Sequence, residues 1–144
     1  MWSPEIEDML QTSRNFLGCF PIDELPSFPK RMPASLIVNT DISTGPGVHW
    51  LALALEEDKC YYFDSFGLPI LEEPLLNYLK PHYHKVTYSD VCIQHKESNN
   101  CGGFCILFIK NVNSKSSYKK FLSNFHHLDI EENDIIVSQW LNVL

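Results

Sequence analysis

Residues 48–55 read VHWLALAL and form the strongest strand signal in the chain. Apart from His49, every position of this stretch is apolar, and a strand with two apolar faces is covered on both sides. The stretch therefore predicts the central strand of a sheet, with His49 as a polar side chain near the start of an apolar run.

The segment after this strand predicts the second half of a hairpin. Residues 56–63, EEDKCYYF, supply a turn and then an aromatic-rich strand. With the two glutamates at the tip of the turn, the register pairs Leu51 with Tyr62 and His49 with Asp64. Cross-strand partners have Cβ atoms about 5 Å apart, so the imidazole and the carboxylate would come within hydrogen-bonding reach. A slip of one residue would send them to opposite faces.

Hydrophobic periodicity and turn residues predict the elements on either side of the hairpin. A first helix begins at Ser3 and runs to Gly18, and the prolines of residues 19–33 predict a long loop after it. The expected elements that follow are a strand at Leu36–Val38, a helix at Leu71–Leu79, a strand at Lys85–Tyr88, and helices at Cys101–Val112, Ser117–Phe125 and Glu131–Leu141. Asp129 and Glu132 have the spacing of a capping box for the last helix, whose expected inward side chains are Ile135, Ile136, Trp140 and Leu141.

Residues 94–105 read QHKESNNCGGFC, a polar loop that ends in a cysteine, two glycines and an apolar helix. Asn99 or Asn100 can cap this helix, which places the sulfur of Cys101 at the helix N-terminus. The helix dipole and the free backbone N–H groups there favour negative charge, so they lower the pKa of a thiol. The two glycines each cost about 1 kcal/mol inside a helix, which is explained if the backbone must approach a substrate closely.

The polar residues of these two stretches match the parts of a catalytic triad with a cysteine nucleophile. A thiol of ordinary pKa is only a few per cent ionised at neutral pH, so a nucleophilic Cys101 needs a base. In our interpretation His49 is that base, and Asp64 fixes its tautomer and stabilises the imidazolium. Gln94 and the Cys101 backbone N–H are the expected donors to an oxyanion. Each residue also has a structural explanation, since histidines in apolar strands and cysteines in buried helices commonly serve packing alone.

Composition and charge restrict the class of protein. The 144 residues fit one domain, residues 1–144, without an apolar run near the ~20 residues of a membrane span and without a signal peptide. Five cysteines, an odd number, favour reduced thiols and an intracellular location. The net charge of −7 argues against a nucleic acid partner. No zinc-finger spacing occurs, so we expect no metal site. We also expect no required cofactor and a monomer.

Several blocks of the chain resemble the active-site blocks of the adenovirus-type cysteine protease, adenain, and of related proteases encoded by Polinton or Maverick elements. The blocks are GVHW at 47–50, YYFDSFG at 61–67, Gln94 and NCGGFC at 100–105, preceded by FLGCF at 16–20, DELP at 23–26 and IVNT at 37–40. The resemblance therefore extends over residues 16–109, most of the chain.

This resemblance implies an α+β, papain-like fold in circularly permuted order, with a central mixed β-sheet flanked by helices. It implies a cysteine endopeptidase that cleaves after glycine in structural precursor proteins of a virus or virus-like element during virion maturation. By position it assigns the base, the third triad member, the oxyanion donor and the nucleophile, in that order, to His49, Asp64, Gln94 and Cys101. Trp50 would line a narrow substrate groove, with Gly47 and Gly102 as further substrate-binding positions. A viral enzyme of this kind is expected in the virion and the infected-cell nucleus.

Departures from the adenoviral pattern keep alternatives open. The adenoviral enzymes carry glutamate where this chain has Asp64, and the deconjugating proteases for ubiquitin-like modifiers, of the same clan, share the aspartate. A deconjugating protease is therefore the second interpretation, and a catalytically inactive binding module of the same fold is the third. The adenoviral enzymes use DNA and an activating peptide as cofactors. The charge of −7 and the spacing of Cys92 do not match those requirements, so we carry over neither.

Overall fold

The stretch at 48–55 lies at the centre of a sheet in the computed structural model, which describes residues 3–113 and 117–143. The strands of this sheet, β1 to β5 in chain order, are Phe16–Pro21, Ala34–Asn39, Trp50–Leu55, Cys60–Phe63 and Val86–Tyr88. They lie side by side in that order. Strand β3 is antiparallel to both of its neighbours, whereas β1 with β2 and β4 with β5 are parallel pairs. The strand predicted to be central is thus confirmed as central.

Helices cover both faces of this mixed sheet, as the predicted α+β architecture requires. Helices α1 to α5 are Ser3–Leu10, Glu73–Leu79, Cys101–Asn113, Tyr118–Leu122 and Asn133–Leu141, with a 3-10 turn at Ile130–Glu132. On one face of β3, Ala52 and Ala54 pack in the cluster that contains the buried residues of α3. On the other face, Leu53 packs in the cluster that contains Leu75 and Leu79 of α2. The alanines have little volume, so the apolar helix α3 can lie close to the strand.

The predicted hairpin register is wrong by two residues. Tyr62 pairs with Leu53 rather than with Leu51, and all four residues 56–59 form the turn, closed by the Glu56 N–H donating to the Lys59 carbonyl at 2.8 Å. No Asn-Gly or Asp-Gly pair is present to favour a two-residue turn, so the longer loop forms. Because a two-residue shift keeps every side chain on its predicted face, the proximity of the polar pair is preserved.

The first helix ends earlier than its periodicity predicts, at Leu10 instead of near Gly18. The apolar run from Phe16 is strand β1, because pairing with β2 buries it better than a longer surface helix would. Gly18 adopts φ +130° at a break in the β1–β2 register, so it marks a bulge rather than a helix stop. Asn15, at φ +54°, donates its side-chain amide to the carbonyls of Arg31 and Pro33 and fixes the turn into the strand.

The C-terminal helices are shorter than predicted and are rotated differently. Helix α4 starts after Ser117, whose hydroxyl accepts the Lys120 N–H, and α5 starts only at Asn133. The Asp129 side chain makes no capping bond. Val137 is fully buried, while two of the side chains expected to face the core, Ile135 and Trp140, are 55% and 38% exposed.

Other element bounds differ by a few residues. Strand β3 begins at Trp50, and Val48 before it is 73% exposed because its N–H donates to the Asn39 side chain instead of to the strand ladder. Leu71, predicted to begin a helix, lies outside α2 and is 69% exposed. Within residues 3–113 and 117–143, no helix has the length and apolarity of a membrane span.

Candidate active site

Cys101 is the first residue of α3, as predicted, and its sulfur is buried beside the start of β3. The Asn100 carbonyl accepts the Phe104 N–H, so Asn100 occupies the cap position of the helix. The Trp50 N–H donates to Cys101 Sγ at 3.4 Å. Burial alone would raise the pKa of this thiol, but hydrogen bonds from His49 and from the backbone N–H groups of Trp50 and Gly102 lower it below its ordinary value. The site therefore favours the thiolate.

His49 lies between Cys101 and Asp64, although it precedes the first paired residue of β3. Its Nε2 is 2.8 Å from Asp64 Oδ1. Because Nε2 is occupied by the carboxylate, Nδ1 is the ring nitrogen that can bond with the sulfur of Cys101. Burial would lower the pKa of His49, but the hydrogen bonds and charges of Asp64 and Cys101 outweigh burial and raise it to about 9. The pair therefore favours a protonated imidazole beside a thiolate more than an isolated histidine and cysteine would.

Asp64 is held in a tight loop that follows β4. It is 6% exposed, and its Oδ1 also accepts the Phe66 N–H at 2.9 Å. The Phe66 ring stacks on the His49 ring with centroids 4.7 Å apart. Gly67 has φ +75°, and a Cβ there would lie 2.6 Å from the backbone carbon of Val91. The loop is therefore fixed on both sides, which restricts the carboxylate to one position.

The loop of residues 39–48 fixes the other side of His49. Asn39 Oδ1 accepts the Asp41 and Val48 N–H groups, and the Asp41 carboxylate accepts those of Ile42 and Gly47. The His49 carbonyl in turn accepts the Thr40 N–H at 2.9 Å. Sequence reasoning did not identify these supporting residues. The signal was the composition of the stretch, since asparagine, aspartate and glycine form such side-chain-closed turns.

Gln94 is placed next to the segment that leads into α3, but not in the wall of the groove. Its side chain is buried, its amide nitrogen donates to the Ser98 carbonyl at 2.9 Å and to the Ser98 hydroxyl at 3.3 Å, and its amide oxygen accepts from the Ser65 hydroxyl. The amide is therefore held at both ends. Its assignment as an oxyanion donor remains a prediction.

A cavity of about 470 Å³ lies beside the nucleophile and the base. Gly47 and Trp50, both predicted to bind substrate, are among the residues that line it, together with Asn99 and Glu24. The described residues that line this cavity include no lysine or arginine.

The two glycines after the nucleophile differ in their surroundings, and the assignment of Gly102 to substrate binding remains a prediction. Gly102 is buried and does not line the cavity, but its N–H bonds with the sulfur of Cys101. A Cβ at Gly103 would lie 2.6 Å from Asn100 Oδ1 and 2.8 Å from Val137 Cγ1. Gly103 is thus required where α3 packs against α5, and the expectation of substrate contact at this position is replaced by helix packing.

The other cysteines have environments unlike that of Cys101. Burial raises the pKa of the Cys19 and Cys60 thiols to about 12, and that of Cys105 well above its ordinary value. Cys92 is exposed. Among the residues that the structure describes, no group of three or more histidine, cysteine, aspartate or glutamate side chains could hold a metal ion.

The chain has relatives both in sequence and in structure. The chain is 31% identical over 99 residues to the cysteine protease S273R of African swine fever virus, an alignment that covers 60% of this chain and 36% of the relative. The protein of the same designation from other isolates is named SUMO-1 cysteine protease S273R and is 30% identical over 99 residues. The protease of avian adenovirus 8 is 48% identical over 56 residues, covering 36% of this chain and 26% of that protein. The chain thus spans about a third of the length of these relatives.

The crystal structure of the African swine fever virus protease superimposes with a TM-score of 0.62 over 91% of this chain and 63% of that protein, at 16% identity. This likeness confirms the papain-like fold. The sequence profile of the adenovirus endoprotease matches residues 16–87, half of the chain. The chain therefore belongs to the adenovirus endoprotease family.

Proposed function

We propose that this protein is a cysteine endopeptidase in which Cys101, His49 and Asp64 form the catalytic triad. The observation that carries the proposal is the row of these three side chains. His49 bonds Asp64 at 2.8 Å, and the pKa of the buried thiol beside it is lowered while that of the imidazole is raised. The other buried thiols, Cys60 and Cys105, have raised pKa values, so the activation is specific to one cysteine.

The arrangement supports a two-step acyl transfer. The Cys101 thiolate attacks the carbonyl carbon of the scissile peptide, and the carbonyl oxygen becomes an oxyanion. The Cys101 backbone N–H stabilises this oxyanion together with the Gln94 N–H that turns away from its 3.3 Å bond to the Ser98 hydroxyl. When the intermediate collapses, the C–N bond breaks and His49 gives its Nδ1 proton to the leaving amine. His49 then accepts a proton from a water molecule, which attacks the thioester and releases the carboxylate product and the free thiol. Asp64 keeps the imidazole in one orientation through both steps.

The substrate that we propose is a structural precursor polypeptide of a virus or virus-like element, cleaved after glycine in virion maturation. Glycine fits a groove next to Trp50 and Gly47, because a side chain on the substrate residue would compete with the indole for space. The names of the African swine fever virus and adenovirus relatives support a viral protease. We propose that the protein acts without a DNA or peptide cofactor, because the net charge of −7 and the spacing of Cys92 do not match the requirements of the adenoviral enzymes.

A deconjugating protease is the second candidate. The name SUMO-1 cysteine protease, given to a 30% identical relative, and the aspartate in the third triad position both favour it. Ubiquitin-like modifiers end in Gly-Gly, so both candidates require a groove that accepts glycine.

The test incubates the purified chain with a capsid precursor that contains a glycine cleavage site and, separately, with a fusion of a Gly-Gly-ended modifier. We expect cleavage of the precursor, and none with Cys101→Ala. Cleavage of the modifier fusion alone would support the second candidate instead. If neither substrate is cut by a chain that still unfolds cooperatively, the inactive binding module becomes the better description.

A further inference from the structure

The Ser98 hydroxyl is a junction between three parts of the molecule. Its Oγ lies 2.8 Å from Asp134 Oδ1, 3.1 Å from the Asn100 nitrogen and 3.3 Å from Gln94 Nε2. A hydroxyl has one proton and two lone pairs. The carboxylate of Asp134 can only accept a hydrogen bond, so the Ser98 hydroxyl donates to it. Both lone pairs of the hydroxyl oxygen can then accept from the N–H groups of Asn100 and Gln94.

Gln94 is also held from its opposite end. The Ser65 hydroxyl donates to the Gln94 amide oxygen, and the Ser65 carbonyl accepts the N–H groups of Ile93 and Gln94 at 2.9 and 3.1 Å. Ser65 directly follows Asp64, and Ser98 precedes Cys101 by three residues. The Gln94 amide is therefore fixed between the loop of the triad carboxylate and the segment that enters the nucleophile helix.

Helix α5 holds this segment at two points. Asp134 bonds Ser98, and the neighbouring Asn133, which is fully buried, donates its amide to the Ile93 carbonyl and to the His126 carbonyl, both at 2.8 Å. Ile93 and Ser98 flank Gln94 in the chain. No residue of α5 lines the cavity, so its polar N-terminal residues act on the site from behind.

We propose that Asp134 is a positioning residue of the active site: through Ser98 it sets the Gln94 amide and the Asn100–Cys101 peptide for binding of the oxyanion. Donors held close to their final position lower the barrier, because the Gln94 N–H has only to turn from the Ser98 hydroxyl, 3.3 Å away, when the charge develops. Without the carboxylate, the Ser98 proton can rotate toward other acceptors, and the amide loses one of its fixed partners. The proposal rests on the protease function and on the role of Gln94 proposed above.

The test compares Asp134→Ala with Asp134→Asn, which keeps an acceptor oxygen for Ser98 and removes only the charge. The matched control is Glu132→Ala, which removes an exposed acid next to the start of α5 that makes no side-chain cap bond. We expect Asp134→Ala to lower kcat roughly 10- to 100-fold with little change in KM, as expected for a small misplacement of a catalytic group. Asp134→Asn should recover most of the loss, and the control should match wild type.

The decisive measurement is the double variant with Gln94→Ala. If Asp134 acts through Gln94, Asp134→Ala will lower kcat no further in that background. Ser98→Ala, which leaves α5 untouched, should show the same loss and the same non-additivity, and it replaces Asp134→Ala if that variant does not fold. Equal fold-losses in both backgrounds, or an Asp134→Asn as impaired as Asp134→Ala, would overturn the proposal.

An NMR measurement tests the positioning role of Asp134 independently of whether the protein is a protease. The side-chain amide signals of Gln94 in a ¹⁵N spectrum should move in Asp134→Ala and stay in place in Glu132→Ala. If wild type cleaves no substrate, the protease function fails while these signals still decide whether Asp134 positions Gln94. Unchanged Gln94 signals in Asp134→Ala would overturn the positioning role whatever the activity.

Discussion

The charge state of the Cys101 and His49 pair can be measured directly through the rate at which the thiol is alkylated. The rise of the His49 pKa from an ordinary 6.5 to about 9 corresponds to roughly 3 kcal/mol in favour of the imidazolium, at 1.36 kcal/mol per pH unit. The lowered pKa of Cys101 means that the pair is charged at pH values between the pKa of the thiol and about 9. Alkylation of Cys101 should therefore be faster at pH 6.5 than that of an ordinary thiol, which is about 1% ionised there.

Asp64→Asn removes the charge from the third position and keeps an acceptor of similar shape. Burial, the largest influence on His49, then lowers the pKa of the ring without an opposing carboxylate, so the imidazole becomes neutral near pH 7 and the thiolate loses its counter-ion. If 1.4 of the roughly 3 kcal/mol is lost, the equilibrium constant for forming the ion pair falls 10-fold, and the alkylation rate of Cys101 at pH 6.5 falls by up to that factor. With rising pH the rate in the variant should increase as it does for an ordinary thiol.

The assay uses iodoacetamide at a series of pH values, with each cysteine quantified by peptide mass spectrometry. Cys92, which is exposed, is the internal reference, while Cys60 and Cys105 are buried and should be labelled slowest. Labelling of Cys101 no faster than Cys92 at pH 6.5, or the same pH profile in wild type and Asp64→Asn, would refute the ion-pair reasoning.

Further predictions concern the packing that supports the site. Gly67→Ala introduces a Cβ at positive φ within 2.6 Å of the Val91 backbone, so we expect a loss of about 2–3 kcal/mol and a Tm lower by roughly 6–10 °C in calorimetry; an unchanged Tm would contradict it. Gly103→Ala should cost about 1–3 kcal/mol in urea unfolding by overpacking against Val137, and adding Val137→Ala should cost less in that background than alone. Phe108→Ala, which removes the ring stacked on Phe63, should destabilise by about 3–5 kcal/mol; a loss below 1 kcal/mol would show that the core refills the cavity.

Local patterns predicted the parts of the fold that depend on short-range chemistry. The strand at 48–55 and the helix that begins at Cys101 could both be predicted. Burial on two faces and a helix N-terminus each produce a sequence pattern within about ten residues. The proximity of His49 and Asp64 also followed, since period-2 alternation survives an even error in register. The exact pairing of β3 with β4 could not be predicted, because the turn at 56–59 contains no residue pair that favours one turn length.

Other features depend on partners far away in the chain. Strand β1 exists because β2, from Ala34, pairs with it, and nothing near Phe16 distinguishes it from the end of an amphipathic helix. The bond between Ser98 and Asp134 joins residues 36 positions apart, and either residue alone is an ordinary polar side chain. The neighbour of Gly103, Val137, lies in another helix, 34 positions later in the chain. The sequence around Gly103 therefore gave no sign of this packing, and substrate contact was the predicted reason for the glycine.

The backbone N–H and carbonyl of Trp50 have a consequence for how the site moves. Its N–H donates to the sulfur of Cys101, and its carbonyl accepts from the thiol of Cys105 at 3.4 Å, one helical turn later. The start of β3, directly after the base, is thus joined twice to the first turn of the nucleophile helix. Separation of base and nucleophile would require opening the core between β3 and α3, which is among the costliest local unfolding events available to a domain. We therefore expect the catalytic distance to be conserved in thermal fluctuations that already open the surrounding loops, and the Trp50 amide to exchange with solvent only on the timescale of global unfolding.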